Sequence, residues 1–271
     1  MIHFNDIEVG INGSGLFAQS VSVSTDNSTQ YINPIGFRNS SCVSENGPVK
    51  SNIRITYLLE PERAYNQAII SNIKNLDGST NFIPAILSIA GLTGNGYLSN
   101  FSFDVGIDNS TIGNATYIVF ENISGTLSNV TGLTFNTNSM VNLLYNWNTY
   151  INDSGYSNTN PYDSIGYSFQ ANWEPTYIIG QNKPYQIDFI GAREELNISK
   201  EDYTKVGFRK TGIGLEYLGN SNVNFTTLNL DTVEGYPVLM INISGGIISS
   251  TNLEGSLDNK VKNTLTIVKN Y

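Results

Sequence analysis

Apolar and polar residues alternate with a period of two in short segments along the whole chain. These segments are 20–24, 52–58, 100–105, 167–171, 185–189, 238–243 and 264–268. Successive side chains of a β-strand point to opposite faces of a sheet, so each segment predicts a half-buried strand. Turn signals rich in Gly, Asn, Asp and Pro lie between them, at 46–48, 77–78, 94–96 and 244–246. Many strands with short turns predict a mainly β protein made of antiparallel sandwiches or barrels.

Two segments depart from this pattern and predict short α-helices. Pro61 suits a first helical turn, and the apolar residues after it have helical spacing up to about Asn75. Residues 139–150 also carry apolar side chains at helical spacing, although their Asn and Thr residues weaken this helix. Residues 152–161 are rich in Asn, Ser, Gly and Pro, a composition that predicts a linker.

A glycine-rich start, an alternating segment and an Asp-Asn end recur along the chain. Residues 12–29 and 94–111 are alike, and both finish in Asp-Asn-Ser-Thr. Weaker copies begin at Gly166 and Gly246. Glycine allows the positive φ of a turn, alternation buries one sheet face, and Asp-Asn side chains cap the following turn. The motif therefore predicts a construction unit and not a ligand site.

The spacing of these copies predicts an internal duplication. Gly15 and Gly96 are 81 residues apart, Gly166 and Gly246 are 80 apart, and Gly96 and Gly246 are 150 apart. We therefore expect two related β-sandwich or barrel halves, residues 1–135 and 162–271, joined by a helix and linker at 136–161. The alternative is that a Gly-rich turn before a strand is common turn chemistry that arose independently in each place.

Residues able to carry out catalysis are scarce. His3 is the only histidine and Cys42 the only cysteine. A Ser-His-Asp triad needs a positioned histidine, a catalytic thiol needs a base, and a zinc site needs several His or Cys ligands. No phosphate-binding Gly-x-x-x-x-Gly-Lys-Ser/Thr motif occurs either. We expect no enzyme activity, no catalytic or cofactor-binding residues, and Cys42 as a small buried or half-buried residue.

Three weaker candidates have structural interpretations that we favour. The carboxylates of Glu194-Glu195, near Asp188, and of Glu201-Asp202 predict a solvated acidic loop, whereas a glycosidase needs two carboxylates across a cleft. Calcium could be held by Asp26 or Asp108, but the twelve-residue calcium loop is absent, so we expect no metal. Trp147, Trp173 and the tyrosines could form a sugar platform, but in a β-rich chain we expect them in the core or at interfaces.

The charge of the chain limits its partners. Asp and Glu number 23 against 14 Lys and Arg, giving a net charge of −9, and the basic residues are scattered. Proteins that hold nucleic acid need clusters of Lys and Arg, so we expect no specific nucleic-acid binding, although DNA could slide past an acidic wall. The first residues show no secretory signal pattern, and no apolar run approaches 18 residues, so no membrane partner is expected.

Four stretches carry a resemblance to a known family. Residues 12–28, 46–60, 96–105 and 115–120 resemble virion structural proteins of tailed bacteriophages, and among these they are most similar to tail-tube-like proteins. The resemblance covers about the first 120 residues and includes no catalytic residues. It implies an antiparallel sandwich flanked by a helix, assembled in the virion as stacked rings whose lumen is often acidic. The expected partners are copies of the chain and other virion proteins, and assembly would take place in the host cytoplasm.

Two functions of different classes follow from this. The first is a self-assembling tail component of the tube type, in which strand edges and Tyr/Asn-rich faces make the subunit contacts. The second is a binding module, either a capsid decoration or a fibre that contacts the host through glycans. Because a duplicated chain departs from a single-domain tube subunit, a hub, neck or decoration role also remains open.

Overall fold

A computed structural model describes residues 8–26, 29–32, 42–45, 48–59, 64–74, 83–106, 109–127, 133, 147–153, 164–181, 183–202, 225–232, 237–241, 243, 245–254 and 261–271. These residues form seventeen β-strands and one helix, so the predicted mainly β class is confirmed. The strands before the helix are β1 (Val9–Ile11), β2 (Ser14–Leu16), β3 (Ala18–Asp26), β4 (Thr29–Ile32), β5 (Cys42–Glu45) and β6 (Lys50–Leu58). The helix is α1 (Ala64–Lys74).

The strands that follow α1 include the longest ones. They are β7 (Ala85–Ile89), β8 (Leu92–Gly106), β9 (Asn109–Val119), β10 (Ser124–Gly125), β11 (Trp147–Asp153), β12 (Ser164–Thr176), β13 (Gln186–Asp202), β14 (Phe225–Thr232), β15 (Pro237–Ile241), β16 (Ile247–Glu254) and β17 (Val261–Asn270). All of the strand pairings are antiparallel, as the short turns of the sequence predict.

One large sheet contains twelve of these strands. Its long path runs β3-β6-β9-β8-β12-β13-β17-β16. The first residues of β8 also pair with β7, which continues through β1 to β2, while β10 pairs with the start of β8. Two small sheets, β11-β14-β15 and β4-β5, stand apart from it.

Alternation accounts for the way the large sheet buries its core. In β6, Ile53 and Ile55 are buried and Arg54 between them is exposed, and in β8, Phe101 and Phe103 are buried on either side of a half-buried Ser102. Burying an aromatic or branched side chain contributes about 2–3 kcal/mol each, so the apolar face holds the sheet together. Strand β3 follows the same pattern, but it is mostly exposed on both faces, contrary to the half-buried strand predicted for residues 20–24.

The two helix predictions have different outcomes. Helix α1 confirms the first, and it buries Ile69, Ile70 and Ile73 on one face. The second, at 139–150, is wrong at its end, because residues from Trp147 onward form β11, and 139–146 lie outside the described residues. The segment from Trp147 contains Thr, Tyr and Ile, and these residues together with Trp favour strands, which outweighed the helical spacing. The predicted linker at 152–161 begins inside β11, and its remainder is not described.

The glycines of the repeat serve packing and not turning. The predicted turn at 94–96 is wrong, because these residues lie inside β8, and the chain turns instead at Ala90 (φ 47°) and Gly91 (φ 82°). A Cβ added to Gly96 would lie 2.5 Å from Cδ1 of Leu87 and 3.0 Å from Cβ of Tyr117, so only glycine fits there. The predicted turn at 244–246 is confirmed by the positive φ of Gly245 (81°).

Replacing Gly96 by alanine is expected to lower the free energy of unfolding by about 1–3 kcal/mol, because the methyl group overpacks against the core. Gly94→Ala is the matched control in the same strand: its Cβ would lie no closer than 3.4 Å to Val119, which is an ordinary contact. Urea denaturation of both variants measures the difference. Equal stabilities for the two variants would show that packing is not what requires Gly96.

The large sheet crosses the boundary between the two predicted halves. Strand β8 of residues 1–135 pairs with β12 of residues 162–271 through seven residue pairs, from Asn100–Gln170 to Gly106–Ser164. The described residues therefore form one continuous antiparallel sheet and a single short helix. Two separate sandwich halves are not seen in them, and the duplication itself stays a prediction.

Candidate functional site: strand edges and an apolar hairpin

The acidic pairs from the sequence do not form a solvated loop. Glu194 lies in β13 and is fully buried, and the Tyr167 hydroxyl donates a hydrogen bond to its Oε1 (3.0 Å). Glu195, on the opposite face, accepts from Arg193 at 2.9 Å. The expectation of a solvated loop was wrong because β13 runs through these residues and turns alternate side chains inward. Glu201 and Asp202 lie at the end of the same strand, where only the backbone is described.

This buried Glu194–Tyr167 contact is a feature of the core and not a reaction centre. Burial raises the pKa of the Tyr167 hydroxyl well above its usual value, and the adjacent Glu194 raises it further. Lys269 is opposite Glu194 in the β13–β17 ladder, and its Nζ lies 4.2 Å from the centre of the Tyr271 ring. A buried polar pair of this kind rigidifies the sheet when its hydrogen bonds are made.

The other candidates from the sequence are also dispersed. Asp26 ends β3, while His3 and Asp108 lie outside the described residues, and the side chain of Cys42 is likewise not described. Within the described residues, no group of three or more His, Cys, Asp or Glu side chains could hold a metal ion. Trp147 belongs to β11, but its side chain is not described.

Trp173 packs against the core, as expected. Its ring lies 5.1 Å from that of Tyr97 and 5.4 Å from that of Phe189, and its Nε1–H donates to the Leu98 carbonyl oxygen (2.8 Å). The rings are tilted, an arrangement favoured for packed aromatic side chains. Trp173 therefore anchors the β12–β13 hairpin on β8 instead of presenting a flat face to a sugar.

The first surface that is open to a partner is the outer edge of β3. Among the described residues, β3 pairs with β6 alone, so its other side carries free backbone N–H and C=O groups. Its sequence, Ala-Gln-Ser-Val-Ser-Val-Ser-Thr-Asp, has neither Lys nor Pro. Natural edge strands commonly use those residues to prevent pairing with another chain, so this edge is unprotected.

The second surface is the outer edge of β16, at the other end of the long path. Within the described part of the chain, β16 pairs with β17 alone. It too lacks Lys and Pro, and Ile247 at its start is 53% exposed. The sheet thus ends on both sides in strands that can accept another strand.

The third surface is the tip of the β12–β13 hairpin. Ile178, Ile179 and Tyr185 are exposed by 44%, 102% and 68%. Below them, Lys183 Nζ contacts Glu121 Oε2 (3.1 Å), and Asn95 Nδ2 donates to Glu121 Oε1 (2.8 Å), which fixes the hairpin beside β8. Contiguous exposed apolar residues mark sites of protein contact, so the tip is suited to a partner surface.

Comparisons with known proteins leave the identity of the chain open. No protein-family model matches the chain, and no curated protein matches it either. Among the described residues, no helix has the length and apolar character needed to cross a membrane.

Sequence reasoning missed the two edges and the buried glutamate. The absence of Lys and Pro from 18–26 and 247–254 was a usable signal for the edges, but it required knowing which strands are outermost. No local signal distinguishes Glu194 from a surface glutamate, because the face that each residue takes is set by the neighbouring strands.

Proposed function

We propose that this chain is a non-enzymatic virion structural protein that self-assembles, specifically a tube-like component of a phage tail. Its subunits would be built by internal duplication, and its partners would be copies of itself and other virion proteins. The observation that carries the proposal is the arrangement of the large sheet: two like sets of four strands stand side by side, and both outer edges are open.

The two sets have the same topology. They are β3-β6-β9-β8 and β12-β13-β17-β16. In each set, the first two strands are neighbours and the last two are joined as a pair, with the later strand of that pair lying beside the second strand of the set. The direction alternates throughout, so the second set repeats the first without inversion. This order supports the duplication inferred from the spacing of the glycines.

Local details at a spacing of 150 residues support it further. Ser99 is an extra residue that bulges from β8, and its hydroxyl donates to the Thr116 carbonyl oxygen (3.0 Å). Ser249 bulges from β16 in the same way and donates to the Thr266 carbonyl oxygen (3.3 Å). A β-bulge is a specific feature of a ladder and not a consequence of strand pairing in general.

The glycines that precede these bulges have equivalent surroundings. A Cβ on Gly96 would lie 3.0 Å from Cβ of Tyr117, and a Cβ on Gly246 would lie 2.8 Å from Cγ2 of Ile267. Tyr117 and Ile267 are themselves 150 residues apart. Both bulged hairpins therefore need glycine at the same place and for the same steric reason.

The tail assignment also draws on the resemblance of residues 12–28 to tail-tube-like proteins and on the charge of −9. An acidic wall repels the phosphate backbone, so DNA could pass through such a tube without binding. A capsid decoration or host-binding fibre is the alternative, and the exposed apolar tip at Ile178, Ile179 and Tyr185 favours it, since one apolar tip suits docking on a single partner.

Electron microscopy and sedimentation of the purified full-length protein test the proposed function. We expect rings or tubes, with few particles at the 29.7 kDa mass of one chain. A protein that stays strictly monomeric at all concentrations would contradict self-assembly. Binding of a monomer or trimer to a glycan array, without ring formation, would favour the fibre alternative.

A further inference from the structure

We infer that β16 of one copy pairs antiparallel with β3 of the next copy, with Leu253 opposite Val23, so that the contact between copies repeats the β8–β12 junction inside the chain. The inference rests on the proposed self-assembly and identifies the surface that performs it. The partner is a second copy of this chain.

The internal junction provides the template. Strand β8 pairs with β12 from Asn100 onward, which is the first residue after the Ser99 bulge. On its inner face, Phe103 stacks against Tyr167 with ring centres 5.4 Å apart. The last strand of the first four-strand set thus joins the first strand of the second set.

The same register can be transferred to the outer edges. One row of residues directly opposite one another crosses each four-strand set, and the row is anchored by the residue after the bulge. The rows read Ser22-Arg54-Thr116-Asn100 and Gly166-Asn197-Thr266-Ser250. Asn100 therefore corresponds to Ser250 and Gly166 corresponds to Ser22. Moving the internal pair Phe103–Tyr167 by this correspondence places Leu253 opposite Val23, with Asn252 opposite Ser24 and Thr251 opposite Thr25.

Backbone directions agree with this pairing. Leu59 N–H donates to the Thr111 carbonyl oxygen (3.1 Å), and Tyr271 N–H donates to the Ala192 carbonyl oxygen (2.9 Å). Hydrogen-bonding residues alternate along an antiparallel ladder, so these two bonds determine the direction of every other residue. In β3, the N–H and C=O groups of Val23 and Thr25 point outward. In β16, those of Thr251 and Leu253 point outward, so the two edges face each other as hydrogen-bonded pairs.

Side-chain burial shows what the β3 edge lacks. Val23 is 42% exposed, whereas Tyr167 at the corresponding place is 2% exposed because β8 lies beside it. Val21 is half-buried, while its counterpart Ile165 is 2% exposed. A strand added at β3 would cover these valines as β8 covers Ile165 and Tyr167.

The resulting contact joins two different edges and is heterologous. Such contacts form closed rings when the rotation between copies divides a full turn, and open filaments otherwise. Either product has one β3 edge and one β16 edge at every contact, and never two edges of the same kind. This asymmetry is what the experiment measures.

Cysteine cross-linking of the full chain in a Cys42→Ser background tests the register. Ser24 and Asn252 would form a non-hydrogen-bonded pair with Cα atoms about 4.5 Å apart, within disulfide range. We expect a Ser24→Cys, Asn252→Cys chain to give a covalent ladder on oxidation, and an equimolar mixture of the two single variants to give only mixed dimers. Ser24→Cys with Ser250→Cys, two residues out of register, is the control and should give no ladder. Disulfide dimers of Ser24→Cys alone would overturn the inference, because they require β3 to meet β3.

A proline at the edge tests the backbone contribution. Val23→Pro removes an outward N–H and leaves the bonds to β6 in place, so the assembly should fall to single chains in sedimentation. Val23→Ala keeps the N–H and should retain most of the assembly. If the wild type forms particles while both the ladder and the effect of proline are absent, the edge inference is overturned and the proposed function stands. If the wild type is monomeric, both fail.

Discussion

Replacing Phe103 by alanine is expected to lower the free energy of unfolding by about 3–5 kcal/mol, since it removes a large buried ring and leaves a cavity. Phe103 is 1% exposed, and its ring lies 5.9 Å from that of Phe101 and 5.4 Å from that of Tyr167. It lies where the two four-strand sets meet, so little around it can move to fill the space. Urea denaturation followed by circular dichroism measures the loss.

Ser102→Ala is the matched control for this change. Ser102 is adjacent in β8, half-buried on the opposite face, and its replacement should alter stability by no more than about 0.5 kcal/mol. We also expect Trp fluorescence and circular dichroism to report one common transition, because β8–β12 pairing makes the sheet continuous. Two well-separated transitions, with Phe103→Ala affecting neither by more than about 1 kcal/mol, would mean that the halves fold independently.

Alkaline pH is expected to destabilise the protein steeply, because at least two tyrosines are buried in their neutral form. Burial raises the pKa of Tyr117 above its ordinary value of 10.0. Burial and then Glu194 raise the pKa of Tyr167. The folded-state pKa therefore exceeds the unfolded one for both groups. Their contribution to stability is fully present below about pH 10 and is lost as the pH rises from there towards the folded-state pKa values.

The size of this effect follows from proton linkage. Each of these tyrosines lowers the free energy of unfolding by about 1.4 kcal/mol per pH unit in that window, so the two together contribute about 2.7 kcal/mol per unit. Urea denaturation between pH 9 and 11 measures the slope. Tyr117→Phe removes one titrating group and should reduce the slope by about 1.4 kcal/mol per unit. An unchanged slope in that variant would show that Tyr117 ionises as freely in the folded chain as in the unfolded one.

Much of the local structure could be predicted because it depends on short-range pattern. Alternation located the core strands around Ile53, Phe101 and Leu265, and helical spacing located α1. The prediction failed where a local signal was outweighed by distant contacts. Residues 94–96 look like a turn, yet β8 continues through them because β7 and β9 pair on either side and need a glycine between Leu87 and Tyr117.

The candidate surfaces were less predictable than the strands. The sequence indicated contacts through strand edges but not which strands form them. Strand β3 has the same alternating pattern as β12, and only the presence of β8 beside β12 separates a buried Tyr167 from an exposed Val23. Glu194 is similar: its neighbour Glu195 has the same chemistry, and the pleat of β13 decides which of them enters the core.

The amino-acid pattern thus specifies a mainly β chain, the positions of most strands, and like motifs about 150 residues apart, because side-chain periodicity and turn residues act within a few positions of one another. The order and register of the strands, the burial of Glu194, and the two open edges depend on pairing between segments far apart in sequence. Those pairings are set by how the strands together bury the apolar face, and that choice exists only once the whole sheet has formed.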